Sequence, residues 1–276
     1  MADLPIPELP DDVRMVVADM DGTLLTPQGD VPDGFWPLLD RMRERGITFV
    51  PASGRQYYTL EALFARSPEG ISYIAENGNL VVHDGQFHPG KLLDAGLADE
   101  VVLASREAAH HRDLGLVVCG VQGGYAERTD PTFIDEFSKY YHRLTTLDDL
   151  LTVDDDILKV AIFDADGAAD SARDVYSAFA DRCQVVVSGP KWIDLMAPGI
   201  DKGVGLRMLQ DDLNITPAQT VVFGDYLNDL QMLDGADWSF AMADAHPDVL
   251  NRARYQAPAN ADQGVVAVLA ALLGDG

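Results

Sequence analysis

The sequence predicts an α/β protein: a Rossmann-like parallel-sheet core interrupted by an inserted α+β unit. Apolar, β-branched runs at residues 16–18, 47–50 and 71–75 each end in a polar or glycine-containing turn, with helical patterns between them. From residue 79 that rhythm gives way to a hairpin and shorter mixed elements. It returns near residue 198 and runs into another buried run at 220–223. These changes divide the chain into a first core segment at 1–82, an insert at 83–190 and a second core segment at 191–276.

Composition sets the outer bounds. The 276 residues, 47% of them hydrophobic, suffice for two domains. The acidic, proline-broken opening lacks the basic start and apolar centre of a signal peptide, and the late apolar stretch 265–273 is too short to span a bilayer. A cytoplasmic protein is expected. A net charge of -25 argues against nucleic acid or anionic membrane as a partner, since its field repels phosphates at long range. Cys119 and Cys183 belong to no metal-binding cluster and read as small apolar residues in strands.

In the first strand, Val16-Val17-Ala18 leads into Asp19-Met20-Asp21-Gly22-Thr23, two carboxylates two residues apart at a strand mouth. Such a pair repels unless a cation sits with it or one member holds a proton. A calcium loop is excluded, because Thr23 and Leu24 stand where a third acid or amide and a glycine are needed. A surface turn stays open as the plain alternative.

Residues 32–45 then carry Phe35, Leu38, Leu39 and Met42 at helical spacing, and 47–50 leads into Ser53-Gly54-Arg55 before a helix at 56–66. That turn offers a hydroxyl and a backbone N–H to an anion. Strand 71–75 ends in Glu76-Asn77-Gly78-Asn79, and Asp84-Gly85 marks a hairpin. The insert is expected to hold helices at 98–110, 131–140 and 168–181, with strands at 116–119, 158–163 and 184–187.

Within it Asp164-Ala165-Asp166-Gly167 repeats the acidic pattern after an apolar strand, but no phosphate-handling residues follow in order, so it reads as structural. Asp154-Asp155-Asp156 reads as a solvated loop. Strand 193–196 leads back to the core. Lys202 then opens a helix, where the dipole disfavours a cation unless an anion binds nearby. Strand 220–223 runs into Gly224-Asp225-Tyr226-Leu227-Asn228-Asp229, followed by a strand at 238–242, a short helix at 246–252 that His246 caps or packs against, and a closing helix.

Taken in order, Asp19/Asp21, Ser53, Lys202 and Asp225/Asn228/Asp229 resemble the four motifs of the haloacid dehalogenase-like (HAD) phosphatases. The insert, with Ser53-Gly54-Arg55 and Glu76-Asn77-Gly78, resembles the Cof-type members of subfamily IIB, which carry a C2 cap. The resemblance implies a Mg²⁺-dependent phosphatase acting on a small phosphorylated metabolite, a sugar phosphate or related phosphomonoester, through an aspartyl-phosphate.

It implies Asp19 as nucleophile, Asp21 as general acid and base, and Lys202 as the neutralising cation. Mg²⁺ would be held by Asp19, the Asp21 carbonyl and Asp225, with Asp229 in support. Ser53, Gly54, Arg55 and Asn228 would bind phosphate or substrate, and Thr23 and Asn77 are further candidates. Tyr125, Tyr140, Tyr141, His142 and Arg143 read either as a sugar-binding face or as core. A phosphomutase of the same fold and a non-catalytic phosphometabolite-binding protein are the alternatives; the chain is expected to act as a monomer or homodimer.

Overall fold

The computed structural model describes Pro7, Pro10 and residues 12–274. Apart from Pro7, the opening segment that bears on a signal peptide lies outside the described residues. In chain order the first elements are β1 (Met15–Asp19), α1 (Phe35–Glu44), β2 (Thr48–Ala52), α2 (Tyr57–Leu63), β3 (Tyr73–Ala75), β4 (Leu80–His83) and β5 (Gln86–Pro89). There follow α3 (Ala95–Ala108), β6 (Leu114–Gly120), β7 (Gly124–Ala126), α4 (Pro131–Phe137), β8 (Leu144–Thr146), β9 (Ile157–Asp164), α5 (Ala168–Asp174), β10 (Gln184–Val187) and β11 (Trp192–Met196). The last are α6 (Lys202–Leu213), β12 (Thr220–Gly224), α7 (Leu230–Asp234), β13 (Trp238–Met242), α8 (Pro247–Arg252), β14 (Tyr255–Ala257) and α9 (Gly264–Leu273).

Among the described residues the chain forms two compact units, one from the segments up to His88 and from Asp201 onward, the other Pro89–Ile200. The first holds an eight-stranded sheet in the order β14-β13-β12-β1-β2-β3-β4-β5. Pairing is parallel from β14 to β3 and antiparallel between β3 and β4. Every residue of β1 and β12 is buried, as continuous apolar strands covered on both faces must be. Phe35 of α1 packs against Phe49 of β2 with ring centroids 4.7 Å apart, and Phe64, just past α2, lies 5.6 Å from Phe49.

The second unit is a six-stranded sheet in the order β10-β11-β9-β6-β7-β8. Alternate residues of β6 and β9 serve opposite faces. Leu116, Val118, Val160 and Ile162 pack with Val101 and Val102 of α3, whereas Val117, Cys119, Ala161 and Phe163 pack with Phe133 and Phe137 of α4. Cys119 is a buried strand residue as expected, but Cys183 is buried just before β10, its N–H donating to the Phe179 carbonyl.

The units meet the chain at 88/89 and 200/201, not at the 82/83 and 190/191 read from the sequence. The β4–β5 hairpin extends the first sheet, so residues 83–88 stay with it. Trp192–Met196 pairs antiparallel with both β9 and β10, which binds residues 191–200 to the second unit. The expected helix at 168–181 is α5 followed by a separate 3-10 turn at Tyr176–Phe179. No helix among the described residues is long and apolar enough to cross a membrane.

Candidate active site

Parallel pairing gathers strand ends at one edge of the first sheet. Asp19 pairs with Ala52, and Ala18 with Phe223, so Asp19, Ser53 and Asp225 leave the sheet side by side. After Asp19 the chain turns tightly through Met20–Leu24. Gly22 there has φ +81°, and a Cβ on it would occupy the place of the Asp225 carboxylate. The Thr23 hydroxyl donates to Asp225 Oδ1 at 3.0 Å, and the Asn260 amide braces the same turn by donating to the carbonyls of Thr23 and Leu25.

Lys202 opens α6 behind its cap Asp201, whose carboxylate accepts from the Val204 N–H at 3.0 Å. The side chain of Lys202 is completely buried. Its Nζ donates to Asp19 Oδ1 and to Asp229 Oδ1, the latter at 2.7 Å. Asp229 Oδ2 in turn accepts from the backbone N–H groups of Asp225 and Tyr226 at 3.0 and 3.2 Å. Asp229 therefore grips both the lysine and the loop that presents Asp225. Behind Lys202, the turn after β3 presses so close that a Cβ on Gly78 would strike the Asp201 carbonyl and the Lys202 Cα.

Carboxylate oxygens of Asp19, Asp225 and Asp229 lie within 4.8 Å of one another. Burial pushes the Asp19 carboxyl well above its ordinary range; Lys202 pulls it down, while Asp229 and Asp225 add to the rise. Burial and then the charge of Asp229 push Asp225 up to about 6. For Lys202 burial opposes the charge, but Asp19 and Asp229 together outweigh it, so it stays a cation. This crowded, oxygen-only donor set suits a hard divalent cation such as Mg²⁺, whose charge relieves the repulsion.

The other expected residues stand around this cluster. Asp21 is exposed, and Arg55 forks onto its carboxylate with contacts of 2.9 and 2.5 Å. Ser53 is buried, with its Oγ accepting from the Arg55 N–H at 3.2 Å. Gly54 lies against the Asn77 side chain, and Asn228 Nδ2 donates to Asn77 Oδ1 at 3.2 Å. His246 caps α8, its Nδ1 accepting from the Asp248 N–H, and its ring lies edge-on to Tyr226.

Sequence reading missed the Asn260 brace, for which no local signal exists: it reaches Thr23 from 237 positions away. In the second unit Tyr140 and Tyr141 both pack on Trp192, with ring centroids 5.4 and 6.2 Å away. Tyr141 is buried with Phe133 and Phe137, Tyr125 packs on the opposite side of the sheet, and Tyr140, His142 and Arg143 are exposed. The 154–156 run is not simply solvated, since Asp155 anchors the Gln122 N–H and the Tyr125 hydroxyl.

Residues 16–269, which carry these carboxylates at the strand ends of a parallel sheet and the buried lysine beside them, match the haloacid dehalogenase-like hydrolases. The chain belongs to that family. It is 33% identical over 261 residues to the 5-amino-6-(5-phospho-D-ribitylamino)uracil phosphatase YbjI of Escherichia coli (strain K12), covering 93% of this chain and 95% of that one. It is 27% identical over 241 residues, 86% of each chain, to the HMP-PP phosphatase of Cronobacter sakazakii. A solved haloacid dehalogenase-like hydrolase from Bacteroides thetaiotaomicron shares the fold, with a TM-score of 0.83 and 23% identity over 94% of this chain and 99% of that one.

Proposed function

We propose that the protein is a Mg²⁺-dependent phosphatase of a small phosphomonoester, a sugar phosphate or related metabolite, working through an aspartyl-phosphate on Asp19. The observation that carries this reading is the buried Asp19 carboxylate, bonded to Lys202 and clustered with the carboxylates of Asp225 and Asp229. YbjI and the HMP-PP phosphatase support the substrate class, since both are named as phosphatases of small compounds. In the name of YbjI the phosphate sits on a ribityl chain.

Asp19, the Asp21 carbonyl and Asp225 would hold Mg²⁺, with Asp229, whose two oxygens already serve Lys202 and the loop, in support. When bound, Mg²⁺ supplies positive charge against the phosphoryl oxygens. An Asp19 oxygen attacks phosphorus, the bond from phosphorus to the leaving oxygen breaks, and Asp21 gives that oxygen a proton. Asp21 then takes a proton from water as the water oxygen attacks the phosphoryl group, which frees inorganic phosphate and restores Asp19.

Lys202 neutralises the nucleophile and the incoming charge from a fixed, dry position. Ser53 and the Gly54 N–H donate to phosphoryl oxygens, Asn228 supports the same pocket, and Arg55 orients Asp21. Phosphate release across a panel of phosphorylated metabolites, with Mg²⁺ and with chelator, tests the proposal. Metal-dependent release from sugar or alditol phosphates is expected. Isomerised sugar phosphate without free phosphate would mean a mutase, and tight binding without turnover a non-catalytic protein.

A further inference from the structure

We propose that Asn77 is a phosphate-binding residue of this site, its Nδ2–H donated to a phosphoryl oxygen beside Ser53 and Gly54. The inference deepens the reading above and rests on it. After β3 three consecutive residues take left-handed backbone, Glu76 at φ +50°, Asn77 at +55° and Gly78 at +93°. Only five non-glycine residues among those described do so, and two are neighbours here. Side chains resist this conformation, asparagine least among them, and such outliers persist where surrounding contacts hold them for use.

Those contacts lead to the phosphate loop. The Asn77 N–H donates to the Ser53 carbonyl at 3.0 Å, and the Glu76 N–H to the Arg55 carbonyl at 3.1 Å. The turn is thus laced to the segment that carries Ser53 and Gly54. The Asn77 amide is oriented as well, because its Oδ1 accepts from Asn228 Nδ2. With Oδ1 so fixed, Nδ2 lies 2.9 Å from where a Gly54 Cβ would sit, and it finds no acceptor among the described residues.

An oriented, half-buried donor beside two expected phosphate donors has an obvious complement in a phosphoryl oxygen. The nearby Lys202 is already engaged by Asp19 and Asp229, so a neutral amide adds a hydrogen bond without drawing charge from that cluster.

Two variants separate binding from bracing. Asn77→Gly keeps left-handed backbone accessible and removes the side chain, whereas Asn77→Asp keeps the acceptor for Asn228 and replaces the donor with a negative charge. The readouts are KM and kcat for Mg²⁺-dependent hydrolysis of p-nitrophenyl phosphate, the inhibition constant of inorganic phosphate, and the thermal midpoint.

Asn77→Gly should raise the phosphate inhibition constant and KM about tenfold, the scale of one hydrogen bond to a charged group, and Asn77→Asp should raise them further. Phosphate inhibition within about twofold of wild type in both variants, with only the thermal midpoint lowered, overturns the proposal while leaving the phosphatase reading intact. A wild-type protein that neither hydrolyses the ester nor binds phosphate overturns both.

Discussion

The chain writes Asp-x-Asp-Gly twice at the end of an apolar strand, at Asp19–Gly22 and at Asp164–Gly167, and the two copies have different surroundings. Asp19 ends a strand whose neighbours on both sides run parallel, so their carboxyl ends bring Ser53 and Asp225 to the same edge. Asp164 ends a strand flanked by antiparallel partners, and what lies beside it are strand beginnings, Leu114 opposite and Trp192 next to Phe163.

Its carboxylate is spent inside the protein, on the Arg112 guanidinium at 2.9 Å, the Ser171 hydroxyl and the Asp166 N–H. The same four-residue pattern therefore joins a crowded cluster of acids around a lysine in one sheet and forms a saturated turn in the other. Topology, which decides whose ends are neighbours, separates them.

The largest expected effect tests the first copy. Asp19→Asn should lower Mg²⁺-dependent phosphate release by about ten-thousandfold or more while the protein stays folded by circular dichroism, the scale seen when a nucleophile is removed. Release near the wild-type rate would dissolve the contrast. Asp164→Ala should instead cost about 3 kcal/mol of stability in urea titration, because it strands the Arg112 guanidinium and the buried Ser171 hydroxyl, with turnover per folded molecule within about threefold.

A smaller effect follows from Asp225, which stands above its ordinary 3.8 at about 6. A carboxyl raised in the folded state contributes stability below its unfolded value that is lost as pH rises through the folded one. In chelator the thermal midpoint should therefore decline from about pH 4 to pH 7, and added Mg²⁺ should raise it by more at about pH 7.5 than at about pH 5. A metal-induced shift that is equal at both values would separate the cation from these acids. Smallest of all, Asp166→Asn at an exposed position should change stability by under about 0.5 kcal/mol.

Much of the first sheet was legible because its central strands are buried on both faces, which forces unbroken apolar runs such as residues 15–18 and 221–223 into the sequence. The three-residue strands β7 and β8 left no such run, and neither did β14. The hairpin at Asp84-Gly85 was legible as a hairpin. A local turn signal does not say which sheet its strands will join, so residues 83–88, with the hairpin's second strand, were read into the insert. Strand ends told where Asp19, Ser53 and Asp225 emerge, but side-chain partners such as Arg55 on Asp21 or Asn228 on Asn77 depend on contacts 34 and 151 positions apart.

The glycine at position 78 has an outcome for anyone who would re-engineer this protein. There main chain rests on main chain at the root of the site's lysine, with no side chain between them to be trimmed or enlarged. The height of the ammonium group over the sheet is consequently a property of the scaffold. Directed evolution toward new esters should find that spot silent and collect its gains elsewhere.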